Sequence, residues 1–153
     1  MWVDDGTWPA CVDAARGLGG DVTLLHVLDV DTVAALSGPV GLLGRSGGPG
    51  EAEFLLAEAE QTLLDAAAAR LGREARRAVR RGRVEREVVA ACADADLLVL
   101  ARDGDRSRLG PRSLGRHTRF VVDHAPCQIL LVWPDVTPGL GTLPAPPDHD
   151  HIR

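Results

Sequence analysis

The stretch ARDGDRSRLGPRSLGRHT, from Ala101 to Thr118, holds three glycines and five arginines and follows directly on the apolar run DLLVL. Its residue types suit one kind of chemistry, the grip of a phosphate or another anion. Gly104, Gly110 and Gly115 would let the backbone approach an oxyanion with no Cβ in the way. A helix starting near Ser113 to Gly115 would aim its free N–H groups and positive dipole end at the same point. Arg102, Arg106, Arg108, Arg112 and Arg116, with Arg119 just beyond, supply guanidinium forks that hold phosphate oxygens in pairs. Only Asp103 and Asp105 oppose them within the loop. The competing reading is a surface loop whose arginines spread into solvent, where repulsion is screened within about 8–10 Å.

Charge along the chain sharpens that choice. The net charge is −5, yet residues 70–119 carry fourteen arginines against seven acids, so this part is +7 and the remainder −12. A basic centre in an acidic chain points to a local anion site and away from a nucleic-acid-binding domain, which would be basic overall. All seventeen basic residues are arginine. Without lysine there is no Walker loop and no Schiff-base catalysis through a side-chain amine. A phosphate-receiver domain of the usual kind, which relies on a lysine near its aspartates, is disfavoured too. No Ser, Cys or Thr has a nearby base in sequence that suggests an activated nucleophile, so the expectation is a binding protein and not an enzyme. Cys11, Cys92 and Cys127 form no metal-ligand spacing and fit reduced thiols. The start MWVDDG has no leader character, and no run of about 18 apolar residues spans a bilayer. A soluble, cytoplasmic protein is expected, with no membrane partner. The motif DHDH at 148–151 has no scaffold to fix metal geometry.

The elements that must position the loop alternate in type. TWPACVDAARGLGG reads as a helix with Thr7 as N-cap, Pro9 in its first turn and the glycines as its stop. DVTLLHVL (21–28) is a strand buried on both faces. Residues 38–50, with six glycines and two prolines, are a flexible connection. EAEFLLAEAEQTLLDAAAARLG (51–72) is a long helix with Leu56, Ala59, Leu63, Ala67 and Leu71 on one face. ARRAVRR (75–81) is a short strand despite its arginines, VEREVVAACADA (84–95) a helix and DLLVLA (96–101) a buried strand. SLGRHTRFVVDHA (113–125) is a helix stopped by Pro126, and CQILLVW (127–133) the last strand. Residues 1–134 form one domain, and 135–153 a disordered, proline-rich tail. Only MWVD precedes the turn at Asp5-Gly6, so the first strand is short or truncated. The alternation predicts an α/β fold, a parallel sheet with helices on both faces.

Ligands of such sheets bind outside the carboxyl ends of the strands. VDDGT, LLHVLD and LLVLARDG all end there. Asp4 or Asp5 would accept hydrogen bonds from a ribose or amine, and Val27 would offer backbone groups and an apolar wall. His26 is expected as a satisfied core histidine, and Cys92 and Cys127 as small core residues.

In this order, DGT after the first strand, VTLLHV, the glycine before a helix in VRRGRVEREVV, ADLLVLARDG and LGRHTRFVVDHAPCQILLV resemble a universal stress protein domain. The resemblance runs from about Val3 to Pro134. It implies a three-layer, doubly wound, five-stranded parallel sheet of order 3-2-1-4-5, like that of the adenine nucleotide alpha hydrolases. It also implies an adenine nucleotide, ATP or AMP with or without Mg²⁺, bound through a motif G-x2-G-x9-G-[ST] after the fourth strand. Position by position, Ala101 stands for the first glycine, Gly104 for the second, and Gly115 for the third after a spacer one residue longer. Arg116 replaces the hydroxyl residue, and Thr118 lies two positions on. Asp5 resembles the acid after the first strand and Val27 the adenine contact. Adenine would then pack near Val27 and Leu100, with phosphates over Gly104, Gly110 and Gly115. A homodimer through the strand 127–133 is implied too. The alternative kept open is a stress-protein fold that has lost its nucleotide and works as an interaction module.

Overall fold

The computed structural model describes residues 1–37 and 49–146. Most of the glycine-rich connection and the DHDH motif lie outside the described residues. Helix α1 (Trp8–Arg16) carries proline at its start, where the missing N–H is no loss. The Asp4 carbonyl accepts the N–H groups of Thr7 and Trp8 at 3.3 and 3.1 Å. Thr7 sits at the cap position but makes no side-chain cap bond. Strand β1 (Thr23–Asp29) runs straight into helix α2 (Val30–Ser37), which the sequence reading did not include. Its signal was Asp29, whose Oδ1 accepts the Asp31 N–H at 3.0 Å. Helix α3 (Pro49–Leu71), strand β2 (Arg76–Gly82), helix α4 (Val84–Ala91), strand β3 (Leu97–Ala101), helix α5 (Arg116–His124) and strand β4 (Gln128–Val132) follow.

The strands form two parallel pairs, β1 with β2 and β3 with β4, and no continuous five-stranded ladder joins them among the described residues. The reason lies in Met1–Val3, which occupies the space between the pairs. Trp2 N–H donates to Val99 O at 3.0 Å, Val3 N–H to Leu25 O at 2.7 Å, and Leu25 N–H to Met1 O at 2.9 Å. Three residues supply one bridge, Trp2 to Leu25, and no continuous ladder on either side.

Alternation along the strands fills both faces with core. Leu25, Val27, Leu98 and Leu100, with Trp2, pack on Val88 of α4 and Val121 of α5. On the other face, Val3 and Leu24 meet Val12 and Ala15 of α1 and Leu64, Ala67 and Leu71 of α3. Cys11, Val99 and Ala101 make a third cluster on the α1 side. The chain is thus an α/β molecule with helices on both faces. The buried face of α3 is Glu60, Leu64, Ala67 and Leu71 with Leu63 packed beside it, so the expected stripe meets the core in its second half, Leu56 is half-buried and Ala59 is exposed. Phe54 and Leu55 in the first half of α3 are exposed. The arginines of β2 line an outer strand, where charge discourages stray pairing. Arg77 meets Asp65 at 2.9 Å, Arg80 meets Glu87 at 3.6 Å and Arg81 meets Glu53 at 3.7 Å.

Candidate functional site

The loop between β3 and α5 folds back on itself at the carboxyl ends of the strands. Gly104 N–H donates to Ser113 O at 2.9 Å and Asp105 N–H to Arg112 O at 2.8 Å, a clasp that closes the loop at its base. A Cβ on Gly104 would lie 2.3 Å from Arg112 O. This glycine therefore makes room for its own loop. Gly110 has φ +129°, a conformation open to glycine, and precedes a short 3-10 turn at Pro111–Ser113. Gly115 is the N-cap of α5. Its N–H is not free: it donates to Asp103 Oδ1 at 2.7 Å. An ideal Cβ on Gly115 would stand 2.8–2.9 Å from the Asp103 carboxyl atoms, so that carboxylate lies over the helix entrance.

The arginines divide into two sets. Arg102 lies over the Trp133 ring at 4.5 Å and donates to Ser113 Oγ. Arg119 donates to the carbonyls of Pro111 and Leu114, and Arg106 meets Asp135 at 2.9 Å. These three hold the loop in shape. Arg108, Arg112 and Arg116 are exposed and make no ion pair within 4.0 Å among the described residues. Residues 135–146, expected within the tail, include a 3-10 turn at Leu140–Thr142. Thr142 Oγ1 there accepts the Leu109 N–H at 3.0 Å.

Thr118, in the first turn of α5, is 1 % exposed, and its Oγ1 has no hydrogen-bond partner among the described residues. A buried hydroxyl left unpaired costs about 1–3 kcal/mol, so this one is a donor left over once the fold is made. Val27 and Ala101 are buried and Leu100 fully so, their side chains spent on the core. Any contact that Leu100 makes with a ligand would have to come from its backbone. Asp5 is exposed in the turn before α1. Asp4 is half-buried, and its carboxyl is pushed up by burial and then by the charge of Asp103, against a smaller pull from His26. His26 is satisfied, its Nδ1 2.9 Å from Val3 O, which makes the ring nitrogen the donor. His117, second in α5, pairs with Glu85 of α4 at 2.7 Å. A cavity of about 1060 Å³ opens at the opposite ends of the strands, lined by Met1, Thr23, Leu25 and Val99, where the central segment is only three residues long. None of the candidate residues lines it.

Residues 10–132 match the model of the universal stress protein family. The chain belongs to that family. Two solved structures share its fold. One is the hypothetical protein MJ0577, described as a test case of structural genomics. It is 18% identical over 86% of this chain and 93% of its own, with a TM-score of 0.62. The other is the hypothetical protein PH0823, 20% identical over 86% of this chain and 92% of its own, with a TM-score of 0.58. No curated protein matches this chain.

Within this universal stress protein domain, sequence reasoning weighed Asp103 only as partial compensation for arginines. Its place over α5 was missed. No local signal marked it, since Asp103 stands twelve residues before the Gly115 cap. The pairing of Glu85 with His117 had no local signal, since the two lie on different helices.

Proposed function

We propose that this universal stress protein domain binds an adenine nucleotide, ATP or AMP with or without Mg²⁺, and acts in stress response or regulation through its bound state. The observation that carries the reading is the buried Thr118 hydroxyl in the first turn of α5, unpartnered among the described residues, in the same segment as Arg108, Arg112 and Arg116, which make no ion pair among those residues. A phosphate would accept from that hydroxyl and draw Arg108, Arg112 and Arg116 together. Arg116 opens a helix, where a cation costs about 0.3–1 kcal/mol unless an anion is near. Adenine would lie by the backbone of Val27 and Leu100, with the ribose beside Asp4 and Asp5. Phosphates would reach from Ala101 and Gly104 to Gly110 and Gly115 once Asp103 swings aside.

In the same reading Met1–Val3 is the central strand, which gives the order 3-2-1-4-5. The outer edge of β4 pairs with its copy in a homodimer, and the protein works in the cytoplasm as a binding module without catalysis. No helix among the described residues is long and apolar enough to cross a membrane.

Isothermal titration with ATP, ADP, AMP and cyclic AMP tests the reading directly. Saturable binding of at least one is expected; no heat from any at millimolar concentration sinks it. Arg116→Ser then weakens ATP binding about tenfold if the guanidinium grips phosphate. Stronger binding would make Arg116 an obstruction. The seat of Asp103 on Gly115 favours the second reading, a nucleotide-free interaction module whose exposed arginines meet an acidic partner. Absence of binding by every nucleotide would select it.

A further inference from the structure

The backbone on either side of Asp103 is pinned. The Arg102 N–H before it donates to Val132 O at 2.9 Å, and the Gly104 N–H after it to Ser113 O at 2.9 Å. Its carboxylate is thereby delivered to the Gly115 N–H, while the Thr118 hydroxyl in the first turn above stays buried and unpaired. One anion thus satisfies the helix entrance in part and leaves a donor over. We propose that Asp103 is the built-in occupant of the anion site, and that a ligand enters by putting a phosphate in its place. This rests on the nucleotide reading and deepens it by setting the ligand class. A phosphate has several anionic oxygens and can take both the Gly115 N–H and the Thr118 hydroxyl. A nucleoside without phosphate has nothing to trade for the carboxylate.

Only rotation of the Asp103 side chain is needed, since its flanking backbone is anchored. Displacement also removes a negative charge from beside Asp4, whose carboxyl Asp103 pushes upward. Asp103 is in this sense a specificity-setting residue. It holds the site closed to neutral ligands and takes a share of the affinity of charged ones.

The test is titration of the wild type and Asp103→Asn with ATP, inorganic phosphate and adenosine, following the Gly115 amide by NMR. Asparagine keeps an oxygen for the Gly115 N–H but removes the charge, so the fold is retained. Asp103→Ser, checked by thermal melting, is the second variant. Both variants are expected to bind ATP about tenfold tighter than the wild type, ~1.4 kcal/mol. The Gly115 resonance should move on ATP or phosphate addition and stay put with adenosine. If the wild type binds ATP while Gly115 does not shift, or the variants gain nothing, the displacement idea falls and nucleotide binding stands. If neither wild type nor variant binds ATP or phosphate, the nucleotide reading fails and takes this one with it.

Discussion

Thr118 and Arg116 stand two residues apart in α5 and have opposite surroundings. Arg116 is exposed, whereas Thr118 is buried with its hydroxyl unpaired. Thr118→Val exchanges that hydroxyl for a methyl of similar size. The ligand-free protein should gain about 1 kcal/mol in denaturant unfolding, because an unmade hydrogen bond is removed. ATP affinity should fall at the same time. A variant that loses stability would show that the hydroxyl is satisfied within the fold. Sequence alone made Thr118 a stand-in for the missing hydroxyl residue. It gave no hint that Arg116 would be free while Arg102, Arg106 and Arg119 were tied down, since their partners Trp133, Asp135 and Pro111 are met through space.

The loop from β3 to α5 depends on one clasp and one interhelical pair. Gly104→Ala would drive a Cβ to 2.3 Å from the Arg112 carbonyl, and that oxygen belongs to backbone. A loss of about 1–3 kcal/mol is expected on unfolding, as for other overpacked sites. A variant as stable as the wild type would mean the clasp is loose. Glu85 ties α4 to α5. The bond from its own backbone N–H, then the His117 ring and the Arg83 charge, hold its carboxyl below the ordinary glutamate range despite opposing desolvation. A lowered acid contributes stability above the ordinary glutamate pKa and loses it as pH falls through its own lowered value. Glu85→Gln should therefore flatten the acid side of a melting-temperature profile, with little change in its shape at neutral pH. Most elements were legible because their apolar runs and glycine stops are local signals. Helix α2 was missed because it follows β1 without a turn, and the expected stripe of α3 holds in its second half, where Leu63, Ala67 and Leu71 meet the core.

At the scale of the molecule, β4 has β3 on one side and an open edge on the other among the described residues. Gln128 N–H donates to Asp96 O and Arg102 N–H to Val132 O, so alternation turns the N–H groups of Ile129 and Leu131 outward. A dimer through this edge would use them. Sedimentation should then show a dimer for the wild type and a monomer for Ile129→Pro, which removes an outward donor and keeps the inner ladder. A monomeric wild type would remove the proposed interface. What the sequence determined by itself was the class of fold and the place of the candidate loop. Buried strand runs, alternating helices and a glycine- and arginine-rich segment after a strand are properties of neighbouring residues. Tertiary structure alone decided that Met1–Val3 bridges two sheets, that three of the loop's arginines are tied down while three make no ion pair among the described residues, and that Asp103 covers the entrance of α5. Those outcomes depend on groups far apart in the chain meeting in space, and a carboxylate twelve residues before a helix start carries no local mark of where it will land.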